Sequence, residues 1–146
     1  MSAGGSFAIR LVSWNDAESS LRSIRHAVFV IEQHVPEALE WDEADHQSIH
    51  ALAEDDSGAP IGCGRLLPTG YIGRMAVVEP WRKRGVGAAL LRRLVELART
   101  DGHGEVRLHA QIDAVPFYAR CGFTPVGETF VEVDIVHQTM RCSLFA

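Results

Sequence analysis

The chain has little that invites covalent or metal cross-linking. Its three cysteines, Cys63, Cys121 and Cys142, are odd in number and show no CxxC spacing. That argues against a disulfide framework or a zinc site, and favours small buried hydrophobes in a reducing compartment. Long apolar runs are missing too. No stretch approaches the roughly 20 residues that a membrane span needs. Met1 to Ser6 has no charged segment leading into an apolar one, so no signal peptide is expected and the expected location is cytoplasmic. Excess positive charge is also lacking. The formal net charge is −5, which disfavours nucleic-acid binding through bulk phosphate neutralisation, although Arg82, Lys83 and Arg84 form a local basic patch. No Gly-Lys-Ser/Thr triplet is present, which excludes a Walker loop.

What is present is a core. The hydrophobic fraction is 47% and the charged fraction 23% of 146 residues, which fits one domain over residues 1–146. Phe7 to Trp14 reads as a strand, with Phe7, Ile9 and Leu11 alternating against polar neighbours. Asn15 to Glu18 has capping-box spacing. The helix that follows puts Ala17, Leu21, Ile24, Val28 and Ile31 on one face. Pro36 closes this region, and His34 to Gln47 reads as a polar, acidic loop. Ile49 to Glu54 and Pro60 to Leu67 read as a hairpin around Asp55–Gly58. Tyr71 to Val78 is a further strand, with Tyr71, Gly73, Met75 and Val77 on one face. Gly85 to Thr100 is a helix with Gly102 just past its end. Glu105 to Ala110 is a short strand. A brief helix capped by Asp113 runs to Arg120 and stops at Gly122. Two strands follow around residues 127–133 and 137–144. The order β-α-β-β-β-α-β-α-β-β predicts an α/β chain of the α+β type, a mixed sheet with helices on both faces.

The stretch from Val77 to Ala88 carries the most chemistry. A strand ends, a loop turns and a helix begins at Gly85 and Gly87. First-turn N–H groups have no intrahelical partner, and with the helix dipole they attract an anion. Mid-helix glycine costs about 0.5–1 kcal/mol against alanine, so two glycines beside three basic residues call for a reason. A dinucleotide fingerprint would place a third glycine at position 90, which is Leu90, and would start directly after the strand.

Arg82-x-x-Gly85-x-Gly87 resembles the Arg/Gln-x-x-Gly-x-Gly/Ala motif of the GCN5-related N-acetyltransferases (GNAT). The strand order resembles that family's mostly antiparallel fold over essentially the whole chain. The segment from Pro116 to Phe123 resembles its Tyr-x-x-x-Gly-Phe motif. The stretches 28–33 and 40–50 resemble the ElaA-like branch. This resemblance implies acetyl-CoA as acyl donor. Its pyrophosphate would lie on the amides of Arg82, Lys83, Arg84, Gly85, Val86, Gly87 and Ala88, and its pantetheine arm along Met75, Ala76 and Val77. Tyr118 is implied as the group that meets the departing thiolate, which a neutral phenol is suited to do. Gln111 stands where many members carry asparagine, and its side chain offers similar hydrogen bonds from one methylene further out.

The implied activity is transfer of an acetyl group to a primary amine of a small molecule or peptide. A non-catalytic acyl-CoA sensor is the alternative. A base must take a proton from the amine. The candidates are Glu32, Asp42, Glu43, Asp45, His50 and His109, with Glu32 and Asp42 put forward first. The acidic loop as a group is expected to favour a cationic acceptor. His46 and His50 are spaced i, i+4, but in a segment read as loop into strand no metal site is expected. No nucleic-acid or membrane partner is expected, and pairing as a homodimer is left open.

Overall fold

A computed structural model describes residues 5–145, so the leader reading at Met1 to Gly4 lies outside the described residues. Strand β1 (Phe7–Ser13) runs into helix α1 (Trp14–Arg25), continued by a π-helical turn (His26–Glu32). Short helices α2 (Glu37–Glu40) and α3 (Ala44–Gln47) lead to β2 (Ile49–Asp55), β3 (Pro60–Leu66) and β4 (Tyr71–Val77). Helix α4 (Val86–Thr100), β5 (Glu105–Gln111), α5 (Val115–Arg120), β6 (Thr124–Pro125), β7 (Phe130–Glu132) and β8 (Ile135–Ser143) complete the chain. The sheet order is β1-β2-β3-β4-β5-β8-β6, with β7 on β8. The β4–β5 pair is parallel and the others are antiparallel.

Alternation sets up two cores. Ala51 and Ala53 face α4, while Leu52 between them faces α1. On α4, Val86, Leu90, Leu94 and Ala98 form the buried stripe at the helical period. Each buried leucine contributes about 1.5–3 kcal/mol relative to exposure. Helix α4 ends in a Schellman motif. Gly102 adopts φ 90°, its N–H donates to the Arg99 carbonyl at 3.1 Å, and the His103 N–H donates to the Ala98 carbonyl at 3.0 Å.

Several expectations shift. The first helix is capped by Ser13, whose hydroxyl accepts from the Asp16 N–H at 3.2 Å, so Asn15 already lies inside it. Ile31 does not share the buried face and is 61% exposed. The π turn adds a residue (Gln33 N–H bonds the Val28 carbonyl, five positions back), which rotates Ile31 outward and Phe29 inward. The His34–Gln47 segment is not a plain loop, since α2 and α3 form within it. Asp113 does not cap α5, which starts after Ala114 with no side-chain cap. Strand β6 is an addition to the expected order.

The most consequential shift is in β4. Cys63 pairs with Ala76 but Arg65 pairs with Gly73, so Arg74 and Met75 together oppose Gly64. This is a β-bulge, with Arg74 at φ 52°. Opposite the bulge, Gly64 leaves the space that the Met75 side chain occupies. The extra residue inverts the alternation. Ile72 faces the α4 core and Ala76 the α1 core, so Tyr71 and Gly73 do not share a face with Met75 and Val77.

Candidate active site

Strands β4 and β5 pair only at Tyr71–Arg107 and Ile72–Leu108. Beyond that point they part and open a cleft of about 670 Å³. Its floor is β4 from Tyr71 to Val77. One wall is the π turn and α2, with Val28, Phe29, Glu32, Gln33 and Leu39. The other is β5 with the β7–β8 hairpin, including His109, Gln111, Glu132 and His137. Tyr118 reaches in from α5.

The split exposes backbone. Val78 donates to the Ile61 carbonyl at 3.0 Å, so the ladder to β3 uses Val78 and skips its neighbour Val77. The Val77 carbonyl instead accepts from Arg82 Nε at 2.8 Å, and its N–H points the same way, into the split. At the end of β4, Lys83 adopts φ 63° and Gly85 φ 86°. Gly85 is the N-cap of α4, and the first helical bond runs from the Ala89 N–H to the Gly85 carbonyl at 3.0 Å. The N–H groups of Val86, Gly87 and Ala88 therefore form the uncommitted first turn. Nothing lies within 4 Å of a Cβ built on Gly85. Glycine there serves the left-handed backbone as well as clearance. Gly87 packs against Phe117 and Val77.

The side chains of the basic patch do not all face the loop. Arg82 turns back and grips Glu32 with two bonds of 2.7 Å. Arg84 stacks on Trp81, 4.9 Å from the ring centroid. The Arg82 hydrogen bond and charge hold Glu32 below the usual carboxylate range against a smaller burial effect. Gln111 donates to Gln33 at 2.8 Å, which ties β5 to the end of the π turn.

Tyr118 is 8% exposed and packs on Phe117 and Phe123. Burial, with a smaller effect of Cys121, pushes its hydroxyl up to about 12. That hydroxyl makes no hydrogen bond among the described residues, and it is not sealed from the cleft. A phenol so held stays neutral and has a proton to offer a developing anion.

The acidic segment proves to be half of an ion network. Arg25, fully buried between Trp14 and Trp41, donates to Glu40 at 2.8 Å and to Asp45 at 2.7 Å. Arg65 donates to Asp42 and Asp45, both at 2.8 Å. Arg74 pairs with Glu40 at 3.0 Å and Asp42 at 3.3 Å. Three guanidinium groups thus match Glu40, Asp42 and Asp45, so most of the negative charge that the segment's sequence suggests is paired. Burial pushes Asp42 and Asp45 up, but their arginines outweigh it and hold both below the usual range. Asp42 does not line the cleft, whereas Glu32 does. His50 is buried outside it, with Nε2 2.9 Å from the Asp45 carbonyl, and burial pushes it down. Arg25, Arg65 and Arg74 were not singled out from the sequence. The only signal for them was the count of acidic residues in one segment, which had to be matched somewhere.

Residues 15–144 match the family profile described as Acetyltransferase (GNAT) domain. The Bacillus subtilis protein YjcF, described as an uncharacterised N-acetyltransferase, is 36% identical over 121 residues, covering 80% of this chain and 86% of that one. The crystal structure of an acyl-CoA N-acyltransferase from Pseudomonas aeruginosa superposes with a TM-score of 0.83 at 30% identity, covering 94% of this chain and 100% of that one. Escherichia coli ElaA superposes with a TM-score of 0.84 at 26% identity, over 94% and 100% of the two chains.

Proposed function

The chain belongs to the GNAT acetyltransferase family, an acyl-CoA-dependent N-acyltransferase, and on that footing we propose that it moves an acetyl group from acetyl-CoA directly to a primary amine of a small molecule or peptide. One observation carries the reading: the β4–β5 split opens beside an unclaimed Val77 amide and ends at the uncommitted first turn of α4. Oriented N–H groups in that line suit an extended amide-bearing arm that ends in a pyrophosphate.

The bound donor supplies an activated thioester. Met75 to Val77 hold its arm as an added strand would be held. The loop Arg82, Lys83, Arg84, Gly85, Val86, Gly87 and Ala88 holds the pyrophosphate, chiefly through backbone amides. Gln111, braced by Gln33, borders the same path. Tyr118 offers its hydroxyl to the sulfur. With its acidity so weakened, it acts first as a hydrogen-bond donor. Glu32 and Asp42 are read as positioning residues, because each is committed to arginine. Glu32 steadies the loop through Arg82, and Asp42 braces Arg65 and Arg74.

The test is a screen of primary amines with acetyl-CoA, following free thiol. Amine-dependent thiol release is expected for at least one acceptor class. Saturable acetyl-CoA binding with no thiol release from any amine would return the reading to a sensor.

A further inference from the structure

We propose that His109 is the catalytic base of this site and that Glu132 orients it. The inference rests on the acyltransfer reading above and assigns the residue which that reading leaves open. Leu108 and Ala110 point into the α4 core, so His109 between them points to the opposite face. It stands one residue beyond the last β4–β5 pair, where the split begins. An arm laid along β4 from the 82–88 loop has its reacting end at that vertex. Tyr118 belongs to the α4-side core. The phenol and the imidazole thus approach the opening from the two sides of the sheet, one toward the leaving sulfur and one toward the incoming nitrogen.

The ring is held in place. It packs edge-on against Tyr71 of β4 at 5.4 Å and Phe130 of β7 at 5.0 Å. His109 Nδ1 lies 3.9 Å from a Glu132 carboxylate oxygen. With Nδ1 toward that carboxylate, the proton favours Nδ1 and the Nε2 lone pair is free to accept. Both side chains are substantially exposed, so the pair adds little stability and folding gives no reason for it. The groups around the ring are Tyr71 from β4 with Arg107 beside it two residues back on β5, Glu132 and Phe130 from β7, Thr139 opposite it on β8, and His137 stacked behind Phe130. Glu132 is the one carboxylate among them. Of the carboxylates named as candidate bases, Glu32, Asp42 and Asp45 are held as weak bases by arginine, and Glu43 does not line the cleft.

The step balances. The amine nitrogen forms its bond to the acyl carbon as the carbon–sulfur bond breaks, and the sulfur keeps that electron pair. The proton lost by nitrogen passes to His109 Nε2 and on to solvent. The thiolate is held by the Tyr118 hydroxyl and becomes the thiol by taking up one proton from solvent, which balances the proton that His109 released.

His109→Gln is expected to lower kcat/KM by about 10²–10⁴-fold. Acetyl-CoA should still raise its melting temperature, and the acid limb of the pH–rate profile should disappear. Glu132→Gln should lower kcat by a smaller factor than His109→Gln and leave the KM for acetyl-CoA unchanged. If His109→Gln folds poorly, Glu132→Gln decides: a lowered kcat at unchanged KM for acetyl-CoA supports the proposal, and wild-type kcat overturns it. Full turnover with an unchanged profile in His109→Gln overturns the proposal, as does loss of the limb in Glu32→Gln alone. Failure of the acyltransfer reading looks different, since wild-type protein would then release no thiol with any amine.

Discussion

The two sides of the cleft are held together by different means. On the donor side, the end of β4, the 82–88 loop and the first turn of α4 are contiguous in sequence, and their geometry follows from local backbone. Gly85 at φ 86° and the uncommitted amides of Val86 to Ala88 need no distant partner. On the other side, the ion network joins residues distant in sequence. Arg25 meets Glu40 and Asp45, Arg65 meets Asp42 and Asp45, and Arg74 meets Glu40 and Asp42, across separations of 15 to 34 residues.

Substitutions should therefore act differently on the two sides. The largest effect is expected from Arg25→Met. It leaves Glu40 and Asp45 with one fewer cation in a buried setting and should cost about 3–5 kcal/mol of stability, read by chemical denaturation. Gly85→Glu should break the donor side instead. It puts a side chain at a left-handed position and a negative charge where an anion is to bind. Acetyl-CoA affinity should fall at least about 100-fold, or roughly 2.7 kcal/mol, by calorimetry, with the melting temperature only slightly lowered. Tyr118→Phe should lower kcat by about 10–100-fold and leave acetyl-CoA affinity within about threefold, since it removes one hydroxyl and keeps the packing.

Acid should act mainly on the ion network. Asp42 and Asp45 have folded-state values below their ordinary ones, so the stability they contribute is present above pH about 4. It is lost as pH falls further through the folded values. Melting temperature should therefore drop more steeply below pH 4 in the wild type than in Asp42→Asn. The smallest effect is expected from Glu32→Gln. Its ion pair with Arg82 is half-exposed, and about 1 kcal/mol or less, seen as a modest loss of acetyl-CoA affinity, is the expected outcome.

The same difference decides what the sequence discloses. The 82–88 loop and the Schellman end at Gly102 are legible because each depends on residues within a few positions. The β-bulge at Arg74–Met75 is not, because a period of two carries no mark of an inserted residue until Gly64 is seen opposite. The π turn is equally silent, and it moved Ile31 from the core to the surface. Glu40, Asp42 and Asp45 read as a solvated acidic run because their arginines lie in other elements. Tyr118 was found through its motif, and its missing hydrogen-bond partner became visible only in three dimensions.

Amide hydrogen exchange with and without saturating acetyl-CoA tests the central claim most directly. The account predicts slowed exchange at Val77, Val86, Gly87 and Ala88, with the β1–β2 amides unchanged. Unaltered exchange at those four positions, with acetyl-CoA bound elsewhere or not at all, would contradict it.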